Sequence, residues 1–160
     1  MKMIASRMWL MVIMGFYLSI GKIDSSNMNL IQFSNMINHK GFSSSDYYGY
    51  GCWCGWGNYG YKHLDDTDYC CKTHDEHYDW LENAGCNPKW VSYDWTGRSG
   101  GEIICNDTPG TCDRRACEVD KSAVDCFESH RRTYDTEYLQ LSGKEKRRLC
   151  NSPTPRNFAR

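Results

Sequence analysis

A mainly α, small, disulfide-rich fold is what this sequence predicts: a short N-terminal helix, a glycine-rich loop, two longer helices and a small two-stranded hairpin. Three observations carry that expectation. Ten cysteines stand among 160 residues, an even count whose density suits a disulfide framework. Three windows read as helical from their residue pattern. Two of the cysteines, Cys70 and Cys71, are neighbours. Adjacent sulfurs cannot bond to each other without strain, so each reaches a different distant stretch of chain.

Taken in order, residues 1–21 begin with the charges Lys2 and Arg7 and run almost purely apolar from Met8 to Ile20. Ser19-Ile20-Gly21 then supplies small residues for cleavage. This is the pattern of a secretory signal peptide. A membrane anchor needs about 20 apolar residues, more than this run holds, and no second apolar span follows. The mature chain is therefore expected to be secreted and extracellular, with no transmembrane span. Its cysteines should serve there as staples and not as cytosolic metal ligands. Residues 22–28 read as a short polar leader and a candidate propeptide. Residues 29–160 read as one domain with a loose tail after Cys150.

Within that domain, Asn29 to Lys40 carries Leu30, Phe33, Met36 and Ile37 at spacings of three and four, with Gly41 as a stop. Residues 42–66, rich in Gly, Tyr and Ser without a steady period, read as an ordered loop. Asp68 to Glu82 is helical in pattern and ends at Asn83-Ala84-Gly85. Residues 86–105 hold turn residues from Gly97 to Gly101, flanked by Trp90-Val91-Ser92-Tyr93 and Ile103-Ile104, a hairpin signature. Asp113 to Tyr134 is the second long helix. The remainder is polar, basic and loop-like, clipped by Cys150.

Charge narrows the function. Removing residues 1–21 takes away two basic side chains and no acidic one, leaving 17 basic against 20 acidic and a net charge of −3. Nucleic acid is a poor partner for such a surface, and purely electrostatic docking on anionic lipid is equally unsuited. Six tryptophans and eleven tyrosines instead favour a membrane–water interface, although each ring is as readily explained by filling a small core.

The loop Tyr50-Gly51-Cys52-Trp53-Cys54-Gly55-Trp56-Gly57 alternates glycines around cysteines. Glycine lets carbonyls turn inward without a side-chain clash. Hard cations such as calcium take six to eight oxygens, often carbonyls completed by carboxylate and water. The loop together with Asp75 would supply such a site. Alone, the glycines spell an ordinary turn.

On a helix, Cys71, His74, Asp75 and Tyr78 share one face, at i, i+3, i+4 and i+7. Asp120 lies on a stripe with Ala116, Ala123 and Phe127. A carboxylate there is costly unless something hydrogen-bonds it, and His74 is the natural partner if the two helices run antiparallel. Asp120 would then fix the imidazole tautomer while His74 takes a proton from water. The bland alternatives are a structural histidine and a solvated aspartate. Zinc on His74 and His77 is disfavoured, because no third nitrogen or sulfur ligand stands at the usual spacing.

With these residues in view, the sequence from Asn29 to Cys150 resembles the secreted, calcium-dependent phospholipase A2 family. The marks are Asn29-Leu30-Ile31-Gln32-Phe33, the Tyr-Gly-Cys-x-Cys-Gly-x-Gly loop at 50–57, Asp65-Asp66, the Cys-Cys-x-x-His-Asp run at 70–75, Tyr78, and Ala116-Cys117-Glu118-Val119-Asp120. The resemblance implies a calcium loop, two long antiparallel disulfide-linked helices and a small two-stranded β-wing. It implies bridges Cys52–Cys150, Cys54–Cys71, Cys70–Cys126, Cys86–Cys112 and Cys105–Cys117. His74 would be the base and Asp120 its partner, with Tyr78 hydrogen-bonded to Asp120. Calcium would be held by Asp75 and the carbonyls of Trp53, Gly55 and Gly57.

The chain also departs from the family pattern. The bridge usual at the positions of His77 and Val119 is missing from both ends at once. The segment between Gly60 and Asp65 is one residue longer than usual, and Asn58 stands where glycine is common. A second tyrosine normally supports the catalytic aspartate, and either Tyr93 or Trp95 falls at that place.

The activity so implied is calcium-dependent hydrolysis of the sn-2 ester of glycerophospholipids at a membrane surface. The alternative is a non-catalytic toxin or receptor-binding module on the same scaffold. Leu30, Phe33 and Ile37 would line the acyl-chain entrance, or else simply pack helix one. Trp56 is a candidate interfacial anchor. Asn106-Asp107-Thr108 is the only glycosylation sequon.

Overall fold

The computed structural model describes residues 28–55 and 60–151. The expected signal segment, the leader apart from Met28, Trp56, Gly57, and the tail from residue 152 lie outside the described residues. Helix α1 (Met28–His39) turns Asn29, Met36 and Ile37 inward and packs Phe33 against the core. Those positions follow the i, i+4, i+7, i+8 stripe of one helical face. Leu30 and Ile31 face outward, 55% and 54% exposed. Just past α1, the Lys40 ammonium is paired with Asp125 at 2.9 Å and Glu128 at 2.7 Å, which pins this corner to the far helix.

The two long helices are α2 (Asp66–Asn83) and α3 (Cys112–Ser129). Asp65 caps α2 by accepting the Asp68 N–H at 2.7 Å, and Thr111 caps α3 by accepting from Arg114; each satisfies a donor that the first turn leaves unpaired. Cys70 meets Cys126, His74 meets Asp120, and Cys86 meets Cys112. Numbers that rise along one helix fall along the other, so the pair is antiparallel. Small residues at the contact, Ala116 and Ala123, are buried and let the helices approach closely. The core continues through Tyr47 stacked on Phe127 at 4.1 Å and Tyr50 stacked on Tyr134 at 4.7 Å. The mainly helical, disulfide-rich architecture expected from the sequence is thus the one observed.

Three local expectations need correction. First, α3 stops at Ser129 and not near Tyr134, and a short 3₁₀ turn (Arg131–Thr133) follows. The carbonyl of His130 accepts the Thr133 N–H of that turn (2.9 Å) and the hydroxyls of Thr133 (2.9 Å) and Thr67 (3.3 Å), so it is satisfied without continuing the helix.

Second, the wing is shifted. Strands β1 (Trp95–Gly97) and β2 (Ile103–Cys105) pair antiparallel with Trp95 opposite Cys105 and Gly97 opposite Ile103. Trp90 instead ends a 3₁₀ turn (Pro88–Trp90), and Tyr93 is drawn into the interior. Gly97 has a steric reason to be glycine, because a Cβ there would lie 2.5 Å from the His39 ring. That ring reaches the carbonyls of Arg98 and Glu102 through Nε2 at 3.1 and 3.2 Å. Both partners are acceptors, so Nε2 carries the proton.

Third, the C-terminal region is not all loop. Helix α4 (Gly143–Cys150) opens with a reciprocal capping box between Ser142 and Glu145. It has no apolar stripe for periodicity to detect. The bridge from Cys150 to Cys52 ties it to the glycine-rich loop.

Asp68, which the sequence reading passed over, organises the glycine-rich loop. Fully buried, its carboxylate accepts the N–H groups of Cys52 (2.9 Å), Trp53 (2.8 Å) and Leu64 (2.9 Å). Burial raises its pKa, and those amides act the other way. The loop passes so close that a Cβ on Gly51, which sits at φ +60°, would lie 2.3 Å from Asp68 Cγ. Asp68→Asn would turn an NH₂ group towards backbone donors and leave them short of acceptors. It should lower stability by about 2–3 kcal/mol, read as a smaller urea midpoint at unchanged slope.

Candidate active site

Four elements converge on one imidazole. From α2 come His74, Asp75 and Tyr78; from α3 comes Asp120; Tyr93 reaches in ahead of β1; and α1 supplies Phe33 and Asn29. His74 Nε2 lies 2.7 Å from Asp120 Oδ1. Asp120 is wholly buried and accepts two further bonds, from Tyr78 Oη to Oδ1 at 2.8 Å and from Tyr93 Oη to Oδ2 at 2.5 Å. A buried carboxylate is tolerated only when its oxygens are met by donors. Here both oxygens are met. Trp95, the other residue weighed for this place, begins β1 and sets its ring edge-on to His39 at 5.8 Å.

The imidazole is held in plane as well as at its edge. Phe33 stacks on it at 4.8 Å with the rings 6° apart, and Tyr78 closes the other contact at 4.3 Å. In the neutral ring, Nε2–H donates to Asp120 and the second nitrogen, Nδ1, keeps the lone pair. It lies 3.7 Å from Asp75 Oδ1. Burial disfavours the charged ring, but the hydrogen bonds and charges of Asp120 and Asp75 outweigh it and push the His74 pKa up to about 9. Burial, reinforced by Asp120, also raises the hydroxyls of Tyr78 and Tyr93. Both therefore remain protonated donors at neutral pH.

The glycine-rich loop lies beside this cluster, bound to α2 by the Cys54–Cys71 bridge. Asp68 captures the Trp53 N–H, and the Trp53 indole donates to the Lys62 carbonyl at 3.1 Å. Gly55 has φ +109°, and a Cβ on it would sit 2.9 Å from Gly49 N. Among the described residues, the carbonyls of Trp53 and Gly55 accept no hydrogen bond. The Asp75 side chain keeps 31% of its surface open. Carbonyls of this loop and the partly open Asp75 carboxylate would together make an all-oxygen donor set, which suits a hard divalent cation and not a soft one.

The remaining candidate residues separate. Phe33 touches the imidazole, Ile37 is packed in the core, and Leu30 is at the surface. The Asn106 side chain donates to Thr96 Oγ1 at 2.9 Å on an exposed part of the wing. All ten cysteines are bridged, in the pairs Cys52–Cys150, Cys54–Cys71, Cys70–Cys126, Cys86–Cys112 and Cys105–Cys117. Among the described residues, the one cluster of three soft or acidic ligand atoms is Cys70, Cys126 and His130. Its sulfurs are joined to each other, so they present no thiolate to a metal. Asn29 was missed at the site. Its signal was a polar residue on the buried stripe of α1, in line with Phe33 and Ile37.

Known proteins share this arrangement of sequence. The family model described as Phospholipase A2 matches residues 30–139. The chain is 43% identical over 121 residues to the basic phospholipase A2 RV-4 of Daboia siamensis, covering 74% of this chain and 84% of that one. It is 43% identical over 117 residues to an acidic phospholipase A2 of Bitis gabonica, covering 73% of this chain and 94% of the relative. To the membrane-associated phospholipase A2 of Rattus norvegicus it is 37% identical over 129 residues, 79% of this chain and 84% of the relative.

Proposed function

The chain belongs to the phospholipase A2 family and is a phospholipase A2, a carboxylic ester hydrolase, and we propose that it is secreted and calcium-dependent, cleaving the sn-2 ester of glycerophospholipids to a lysophospholipid and a free fatty acid. One observation carries this reading: a buried Asp120 holds His74 by Nε2 and leaves Nδ1 beside the open carboxylate of Asp75.

In its neutral form, which a cation on Asp75 would favour by offsetting that carboxylate's charge, His74 Nδ1 takes a proton from a water molecule as that water attacks the ester carbon. Asp120 fixes the tautomer and supports the imidazolium that results. Phe33 and Tyr78 keep the ring from tilting. The proton then passes from His74 to the departing glycerol oxygen, which restores the neutral base. Asp75 and the carbonyls of Trp53, Gly55 and Gly57 would hold the calcium ion. Calcium bound there supplies a Lewis acid for the ester carbonyl and a counter-charge for the substrate phosphate. The Gly55 amide N–H donates to the oxyanion. Leu30, Phe33 and Ile37 are the proposed acyl-chain entrance, and Trp56 the proposed interfacial anchor.

Among the described residues no helix is long and apolar enough to cross a membrane. Binding to phospholipid is accordingly proposed as peripheral, with secretion directed by residues 1–21. The direct test is fatty-acid release from phosphatidylcholine vesicles, with calcium and with a chelator. Release in calcium and its loss in chelator are the expected results. No release in either condition would favour the non-catalytic, receptor-binding alternative, and release unaffected by chelator would remove the calcium site from the mechanism.

A further inference from the structure

The Tyr78 hydroxyl lies 2.8 Å from Asp120 Oδ1 and 2.8 Å from the Asn29 side-chain oxygen. One phenol has one proton and cannot donate to both acceptors. The Asn29 nitrogen, meanwhile, is buried without a partner among the described residues, although Asn29 is only 1% exposed. A buried, unpaired donor is among the costlier faults in a folded chain. Both difficulties disappear if the amide is turned over, since oxygen and nitrogen of an asparagine are assigned from their partners.

We infer that Asn29 is a positioning residue for the reaction, its Nδ2–H donating to Tyr78 Oη so that the single Tyr78 proton is committed to Asp120 Oδ1. Donation then runs in one direction, from Asn29 to Tyr78 to Asp120, with His74 Nε2–H and Tyr93 Oη–H completing the carboxylate's partners. The amide oxygen left over is the lesser cost, because under-used carbonyl acceptors are commoner than orphaned donors. The chain also explains a polar side chain on the buried stripe of α1. It ties the first turn of that helix to the carboxylate that orients the base.

The inference rests on the hydrolytic reading above, and the test separates the two. Asn29→Ala, Asn29→Asp, Tyr78→Phe and the doubles with Tyr78→Phe would be compared on vesicles in calcium, after mass spectrometry shows the same N-terminus for each. Asn29→Ala should lower kcat about tenfold, the upper end of what one hydrogen bond between neutral groups contributes, with KM unchanged. In the Tyr78→Phe background the same change should do almost nothing. Asn29→Asp keeps the shape but only accepts, so it should lose at least as much kcat as the alanine variant.

Equal losses in both backgrounds would overturn the inference, as would a change confined to KM or a fully active aspartate variant. If the wild type releases no fatty acid, the functional reading fails instead. The amide assignment is then tested alone, by the Asn29 side-chain ¹⁵NH₂ signals: one proton should move on Tyr78→Phe, and unmoved signals would reject it.

Discussion

Glutamine at position 74 should abolish measurable hydrolysis, lowering kcat by about 10⁴-fold. The side chain is similar in reach and can still donate to Asp120, so the carboxylate is not orphaned. What it lacks is a basic nitrogen where Nδ1 stood. Calcium affinity, measured by titration calorimetry, should change only severalfold, because the proposed ligands are all oxygens outside residue 74. A second reading of the same variant tests the electrostatics of the pair without any substrate. In metal-free protein the His74 pKa is raised from 6.5 to about 9. A group whose folded pKa lies above its unfolded value adds stability that is fully present below about pH 6.5 and is lost as pH rises through 9. Wild type should therefore lose of order 3 kcal/mol relative to His74→Gln between pH 6 and pH 10 in urea titrations with chelator. Parallel stability curves would refute the charge coupling, and a hydrolytically competent glutamine variant would remove the proposed base.

How much of this could be read from residues alone differed by element, for physical reasons. α1, α2 and α3 were legible because each buries one face of a helix, and burial leaves a period in the sequence. α4 buries little beyond Cys150, so only its capping box marked it, and a cap is a local signal easily passed over in a basic stretch. The first strand of the wing was placed too early, at Trp90–Tyr93, because three-residue strands carry too little alternation to locate; it runs from Trp95 to Gly97, and Gly97 packs against the His39 ring. The end of α3 depends on hydroxyls from Thr67 and Thr133, one of them 63 positions away from the carbonyl it meets. Asp68 and Asn29 were opaque for a related cause. A polar residue on an apolar face looks like an error until its partners arrive from elsewhere. His74, Asp75 and Asp120 escaped that limit because two of them are adjacent in sequence and the third sits on an otherwise small, apolar stripe.

Asp75→Asn carries the second large expectation, and it separates ion binding from the base. The proposed site has one protein carboxylate, and calcium affinity follows ligand charge count closely. Removing that charge while keeping an oxygen should weaken calcium binding by at least about 100-fold and reduce hydrolysis to background at millimolar calcium. The variant should still fold, because Asp75 is partly open to solvent and the bond from His74 Nε2 to Asp120 does not involve it. Thermal unfolding makes the distinction without substrate. A ligand that binds only the folded state at 100 times its Kd stabilises it by about 2.7 kcal/mol. Calcium should raise the wild-type Tm accordingly and leave that of Asp75→Asn nearly unmoved, while in chelator the variant melts somewhat lower for want of Asp75's share of the pairing with His74. If calcium stabilised the two equally, the ion would have to sit elsewhere. The open carboxylate beside Nδ1 would then have to act on the imidazole alone, as a fixed negative charge holding its proton. That role predicts an asparagine variant with altered pH dependence and intact calcium dependence, the reverse of the pattern expected here.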